Sequence, residues 1–377
     1  MIKRKVRVLI LLNTAWNLLN FRAGLIIELI AAGYEVVAVA PHDKYVEQVK
    51  ALGCRFVPMP MDSHGKNPVC DLLLLWRLYW LLRYENPDIF LGFTVKPNVY
   101  GSFVATILGI HVINNISGLG AVFIKNNWVT CFLRVLYSFA LSRSKQVFFQ
   151  NEDDRVFFIK SGLVKPEITD TLPGSGVNLN YFSSVEMPIS EAPVRFLLIS
   201  RMLWAKGIGE YVQAAKLVKS RYANVTFCLI GFLDVNNPAA ISREQMQEWV
   251  TDGFVKYLGE TDDVRPHIAA ATCVVLPSFY REGVPRSLIE AAAVGRPIIT
   301  TDIIGCREVV DNGVNGYLCK AQDASDLADK MELFIALSSE QRAEMGRRGR
   351  AKIVLEFDEK IVINKYLKVI KNNIRTA

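Results

Sequence analysis

Histidine is scarce: four occur in 377 residues, at positions 42, 64, 111 and 267, and no two stand at metal-ligand spacing. A catalytic zinc site is therefore not expected. The seven cysteines (Cys54, Cys70, Cys131, Cys228, Cys273, Cys306 and Cys319) are odd in number and form no C-x-x-C. That scatter fits reduced thiols in a cytosolic protein, not a disulfide framework. No apolar run is long enough to span a bilayer. The most apolar stretch, Cys70 to Leu82, covers 13 residues and is interrupted by Asp71 and Arg77, whereas a span needs about 20. The opening residues are basic, and the apolar run after them, Val8 to Leu12, is too short for a secretory leader and reads as a strand. There is no internal repeat of 20–50 residues, no low-complexity tract and no D-x-D. The adjacent pairs Asp153–Asp154 and Asp262–Asp263 read as helix starts, not metal ligands.

What is present is apolar and long. Half the residues (51%) are hydrophobic and 21% are charged, so the chain can bury large cores and is not disordered. Its length predicts two domains of about 180 residues each. The net charge of +7 is uneven: residues 1–180 hold 19 basic and 13 acidic side chains, residues 181–377 hold 25 and 24. A basic first half suits an anionic partner, or is a solvated surface with a mild bias.

Apolar runs and helical stretches alternate. VRVLILL (6–12) is continuous, as a strand buried on both faces should be. Strands are expected at 35–41, 54–60, 88–93, 111–116 and 146–151, with helices at 21–32, 69–84, 98–108 and 128–142. Residues 174–193 are rich in Gly, Ser, Pro and Asn and read as a connection. Strands then return at 194–200, 225–231, 255–259, 273–278, 297–302 and 316–320. Between and after them lie helices at 207–220, 242–251, 263–270, 285–294, 306–311, 323–337, 339–355 and 358–373. Such βαβ alternation predicts two doubly wound parallel-sheet domains. A ligand is expected in the cleft between them, at the carboxyl ends of the strands.

Pro277 to Pro297, PSFYREGVPRSLIEAAAVGRP, is the most informative segment. Glu282 and Gly283 lie in a turn, Pro285 suits a first helical residue, and Ser287, Leu288 and Glu290 follow on the helix. Backbone N–H groups around Val284 to Leu288 would face an anion. Two carboxylates beside that anion site can accept from the hydroxyls of a nucleotide sugar. The same spacing also suits acidic residues flanking an ordinary helix. Arg201 and Lys206 bracket another strand-to-helix turn, where two cations could hold a diphosphate and stabilise its leaving charge.

Together, SRMLWAKG and REGVPRSLIEAAAVGRP resemble the signature of glycosyltransferase family four, retaining enzymes with two facing Rossmann-like domains, the GT-B fold. The resemblance runs in order through the C-terminal half. It implies that Arg201 and Lys206 grip the donor diphosphate, that Glu282 meets the donor sugar, and that Glu290 binds the ribose. Backbone groups at Val255, Tyr257 and Leu258 would read the base, with Gly283, Val284, Ser287 and Leu288 lining the donor site. The N-terminal segments NTAWNLLNFR (13–22), TVKPNVYGS (94–102) and NNISGLGAVF (114–123) resemble bacterial transferases that extend sugars on polyprenyl-diphosphate carriers. This implies a donor-side loop at Asn13 and Thr14, which lacks the paired glycines of many family members. It also implies an acceptor site drawing on Arg22, Lys96, Asn98, Gly118, Leu119 and Gly120, with Lys125 a further cation. The implied organisation is an acceptor domain at 1–175, a linker at 176–193 and a nucleotide-sugar domain at 194–357. The helix at 358–377 would return to the first domain. The implied partners are a nucleotide diphosphate sugar, with uridine as the expected base, and a polyprenyl-diphosphate-linked glycan. No metal or other cofactor is implied.

Helix 69–84 carries Leu72, Leu75, Trp76, Tyr79, Trp80 and Arg83, and helix 128–142 carries Trp128, Phe132, Leu136, Tyr137, Phe139, Arg134 and Arg143. Aromatic and basic residues together suit a membrane interface, and equally the core faces of Rossmann helices. With the basic first half they predict a cytoplasmic protein peripheral on the inner face of the cell membrane, on anionic lipid. Nucleic acid is not expected, because the basic residues do not cluster with an aromatic platform. A nucleotide-sugar epimerase, or a non-catalytic nucleotide-sugar-binding protein, remains an alternative on the same architecture.

Overall fold

A computed structural model describes residues 4–62, 68–118, 128–188, 193–233 and 237–374. The chain divides into two compact units, residues 1–175 with 359–377, and residues 176–358.

The first unit runs β1 (Arg7–Leu11), α1 (Ala15–Ala31), β2 (Glu35–Ala40), α2 (Val46–Ala51), β3 (Arg55–Pro58), α3 (Pro68–Glu85) and β4 (Ile89–Phe93). It continues through a π-helical turn, Pro97–Gly101, into α4 (Ser102–Ile107), β5 (His111–Ile116), α5 (Trp128–Leu141), β6 (Gln146–Phe149), α6 (Glu152–Lys160) and β7 (Thr169–Thr171). All pairings are parallel, in the order β3-β2-β1-β4-β5-β6-β7. Both faces of the sheet are covered, so the interior of β1 is apolar; Val8, Leu9, Ile10 and Leu11 are each fully buried.

In the second unit come β8 (Val194–Ile199), α7 (Ile208–Lys219), β9 (Val225–Ile230), α8 (Arg243–Thr251), β10 (Lys256–Tyr257), α9 (Arg265–Ala269) and β11 (Cys273–Leu276). They are followed by α10 (Arg286–Val294), β12 (Ile298–Thr301), β13 (Gly316–Cys319), α11 (Ala324–Ile335) and α12 (Ser339–Glu356). This sheet is ordered β10-β9-β8-β11-β12-β13, again parallel. The direction of winding reverses between β1 and β4 in one sheet and between β8 and β11 in the other. In such sheets ligands bind beyond the carboxyl ends of the strands at that reversal.

Residues 176–188 group with the second unit. Val177 and Phe182 are buried in its core, and the buried Arg296 guanidinium donates to Val185 O at 2.9 Å and Glu186 O at 2.8 Å. The last helix, α13 (Glu359–Ile374), packs in the first unit. Val362, Ile363, Tyr366 and Ile370 join the core of β1 and α1, and the Tyr366 hydroxyl accepts from Asn115 Nδ2 at 2.9 Å.

Several elements differ in detail from the sequence expectation. The helix expected at 98–108 is a π-turn followed by α4, and the one expected at 306–311 is a single 3-10 turn, Arg307–Val309. Pro285 caps α10 with an extended backbone (ψ 122°) and is not its first helical residue.

Candidate active site

In the second unit the two loops at the reversal carry Arg201–Lys206 and Ser278–Glu282, after β8 and β11. Sequence places Lys206 and Glu282 apart; the fold joins them. Lys206 Nζ donates to Glu282 Oε1, and each side chain is only 14% exposed. Backbone geometry makes the approach possible. Gly207 sits at φ +76°, and a Cβ there would overlap the Pro277 carbonyl oxygen. Gly305, at φ +88°, lies against the Glu282–Gly283 turn so closely that a Cβ would overlap Gly283 O. Neither Gly305 nor this contact was readable in the sequence, because the partners are 22 positions apart and in different loops.

Ser278 is the other residue that sequence reasoning passed over. It is fully buried, and its hydroxyl lies 3.0 Å from Glu282 Oε1 and 3.2 Å from Ala205 O. Nearby, burial pushes the Cys306 thiol up to about 12, so it stays neutral beside the ion pair. Arg201 projects an exposed side chain from the same loop as Lys206.

Glu290 lies one turn into α10 and accepts from Arg286 Nε at 2.8 Å. Burial raises the Glu290 carboxyl above its ordinary range, and the neighbouring Arg286 partly offsets this. Arg286 is an i,i+4 partner that the sequence shows but that the donor-site pattern did not single out. Gly283 and Leu288 are buried, while Val284 and Ser287 are part-buried. The Leu288 N–H donates to Pro285 O at 3.2 Å, so it belongs to the helix cap. Of the stretch expected to read the base, Val255 is core, Tyr257 Oη donates to Gly231 O at 2.8 Å, and the Leu258 N–H donates to Leu229 O at 2.9 Å.

The first unit holds its own polar groups at the reversal. Thr14 caps α1, its hydroxyl accepting from Asn17 N at 3.0 Å, and Asn13 Oδ1 accepts from Asn17 Nδ2 at 2.6 Å. The helix N-terminus is already met by a carboxylate. Asp43 Oδ2 accepts from the N–H groups of Ala15 and Trp16 at 3.0 and 3.1 Å. Asp43 lies 28 residues away and gave no sequence signal. Beyond β4, Thr94 adopts φ +60°, a costly conformation for a β-branched residue. Lys96 is tied to Asp71 of α3 at 2.7 Å, and Asp71 also accepts from the Tyr100 hydroxyl at 2.9 Å. Asn98 is buried and donates to Asn115 O at 2.7 Å. Arg22 is buried with its guanidinium 4.1 Å over the Phe93 ring. Gly118 ends the described stretch at φ +117°; Leu119, Gly120 and Lys125 lie outside the described residues. No group of three or more His, Cys, Asp or Glu poised to hold a metal ion occurs among the described residues.

Two parallel sheets of the same winding, with a cation–carboxylate pair at the reversal of the second, define a doubly wound α/β protein with a candidate ligand site at its strand ends. Comparison with known families makes this specific. Residues 193–336 match the family described as Glycosyl transferases group 1, and residues 7–151 match Glycosyl transferase 4-like. The chain belongs to the glycosyltransferases, with one such domain in each unit. It is 29% identical over 388 aligned positions to the N,N'-diacetylbacillosaminyl-diphospho-undecaprenol alpha-1,3-N-acetylgalactosaminyltransferase of Campylobacter jejuni, covering 97% of this chain and 100% of that protein. It is 24% identical to the Escherichia coli UDP-Gal:alpha-D-GlcNAc-diphosphoundecaprenol alpha-1,3-galactosyltransferase, over 70% of each chain. The fold matches that of Anabaena HepE in complex with UDP and glucose, with TM-score 0.77 and 18% identity over 97% of this chain and 99% of that one. This is the GT-B fold.

Proposed function

We propose that the chain transfers a hexose or N-acetylhexosamine, with retention of configuration, from a uridine diphosphate sugar to a polyprenyl-diphosphate-linked glycan. The observation that carries the reading is the meeting of Lys206 and Glu282 at the sheet reversal of the second unit. Lys206 and Arg201 hold the donor diphosphate and stabilise its charge as the bond to the sugar breaks. These two cations supply the charge compensation that a metal supplies elsewhere. Glu282 accepts from the sugar hydroxyls near the reacting carbon, and Glu290 from the ribose. Val255, Tyr257 and Leu258 contribute backbone contacts to the base, while Gly283, Val284, Ser287 and Leu288 line the donor site. In the first unit, Asn13 and Thr14 border the donor. Arg22, Lys96, Asn98, Gly118, Leu119 and Gly120 receive the acceptor, and Lys96 exchanges Asp71 for acceptor phosphate. Domain roles follow: residues 1–175 with the last helix for the acceptor, 194–357 for the donor.

The relatives named above act on undecaprenyl-diphosphate sugars, and a lipid-linked acceptor is met at a membrane. The first unit suits that contact. It holds 24 basic and 14 acidic residues, against 20 and 23 in the second unit. Along α3, Val69, Leu72, Trp76, Trp80 and Tyr84 are 71, 67, 61, 53 and 84% exposed, whereas Leu74, Leu78 and Leu82 on the opposite side are core. An exposed apolar and aromatic stripe on a unit of net charge +10 fits an anionic bilayer. On α5 the division differs from expectation: Tyr137 is core and Phe139 is half exposed, while the Trp128 and Phe132 side chains lie outside the described residues. No described helix is long and apolar enough to cross a membrane. The lipid-linked acceptor and the basic, stripe-bearing first unit support a peripheral position on the cytoplasmic face of the cell membrane, against anionic lipid and not nucleic acid.

Calorimetric titration with UDP, GDP and ADP tests the donor reading, which predicts preference for UDP and is overturned by no binding to any of them. Flotation on phosphatidylglycerol vesicles tests the membrane contact. The parent chain should float and a W76E/W80E double variant should not; a parent chain that stays in solution contradicts it.

A further inference from the structure

Ser278 touches both loops that carry the charges of the donor site. Its hydroxyl is within reach of Glu282 Oε1 at 3.0 Å on one side and of Ala205 O at 3.2 Å on the other, and its oxygen accepts from the Tyr280 N–H at 3.3 Å. The residue is fully buried, and its own carbonyl oxygen accepts from the Thr301 hydroxyl. The adjacent Phe279 N–H donates to Ala205 O at 3.1 Å, which ties the two loops a second time. Ser278 is thus a fixed post, while Lys206 is the end of a flexible four-carbon stem.

Glu282 Oε1 accepts from both Lys206 and Ser278. A diphosphate carries more negative charge than one carboxylate and attracts the same ammonium. When Lys206 turns to it, the carboxylate loses its ionic partner and keeps the Ser278 hydroxyl. We propose that Ser278 is a positioning residue that keeps the Glu282 carboxylate aimed at the donor sugar once the diphosphate has taken Lys206. The proposal rests on the donor-site reading given above. It has a signature that a general stabilising role lacks. UDP has no sugar for Glu282 to meet, so losing the Ser278 hydroxyl should leave UDP affinity alone and remove part of what the sugar adds. One hydrogen bond to a charged group is the quantity at stake, about tenfold in affinity.

The test is calorimetric titration of the full chain and its S278A variant with UDP and with UDP-N-acetylgalactosamine. The variant should bind UDP within about twofold of the parent and bind the nucleotide sugar about tenfold more weakly. Retained UDP affinity also reports that the variant is folded. A variant that matches the parent on both compounds, or that loses affinity for both to the same degree, overturns the positioning role. A parent chain that binds neither compound sinks the donor-site reading itself, and this inference with it.

Discussion

Lys206 Nζ donates to Glu282 Oε1, so the cation assigned to the donor diphosphate is neutralised by the carboxylate assigned to the donor sugar. Both side chains are largely withdrawn from water, so the pair is not an incidental surface contact. On the proposed assignment, the donor competes with an internal anion for this lysine. Glu282→Gln should therefore bind UDP more tightly than the parent, by about fivefold if the competing contact is worth on the order of 1 kcal/mol, while losing transfer activity. Lys206→Ala should cut turnover by about 10²-fold or more, the scale of one lost charge-stabilising donor. Titration and steady-state rates check both. Weaker UDP binding by the glutamine variant, or parent-like turnover by the alanine variant, would show that the two residues do not share this role.

Glu290 should make stability depend on pH. Its folded-state pKa is raised from 4.5 by burial, with Arg286 offsetting part of the shift. A raised carboxyl binds its proton more strongly in the folded chain than in the unfolded one. Its favourable contribution is thus complete below the unfolded value and is lost as pH rises through the folded one. Glu290→Gln removes that titration. In thermal melts, the variant's stability relative to the parent should grow from pH 4.5 upward through the raised value and then level off. The same variant should weaken donor binding more than it slows the chemical step. A pH-independent difference would mean that Glu290 does not titrate differently on folding.

Gly305→Ala tests the support behind the Glu282–Gly283 turn. The new methyl would overlap Gly283 O, at a residue already holding φ +88°. The left-handed conformation alone costs about 1–2 kcal/mol with a side chain, and the overlap adds to it by pushing on Glu282. Melting temperature should fall, and kcat should drop by more than UDP affinity does. Unchanged kcat would show that the turn tolerates displacement.

In the first unit, Tyr366→Phe should cost about 1–3 kcal/mol, because it leaves the buried Asn115 amide donor without its acceptor. The ring would remain packed 5.0 Å from Phe148 and 5.9 Å from Phe93. Chemical denaturation of the parent and variant measures this directly. A loss within a few tenths of a kcal/mol would mean that the amide finds another partner.

The strands were legible because sheets covered on both faces demand continuous apolar runs, as in Val8 to Leu12 and Phe196 to Ile199. Short polar elements were only partly so. Asp153–Asp154 marked a helix start, and α6 opens there under an Asn151 cap, but its helical period is too brief to give its extent. β7 has only three residues, all part-buried. At the site, the residue types and their loops were readable, but the pairings were not. Lys206 with Glu282 spans 76 positions, Ala15 with Asp43 spans 28, and Lys96 with Asp71 spans 25. Such contacts depend on strand order, which local sequence does not carry. The helix faces were half legible. On α3 the aromatic content was plain, and only the fold separates exposed Trp76 and Trp80 from buried Leu78.

The most direct test supplies the full chain with UDP-N-acetylhexosamine and a polyprenyl-diphosphate-linked acceptor, and follows the lipid product by mass and anomeric configuration. Transfer with retention predicts an acceptor heavier by one sugar residue, joined in the anomeric configuration of the donor. Donor consumed to free UDP and free sugar, with the acceptor mass unchanged, would contradict it.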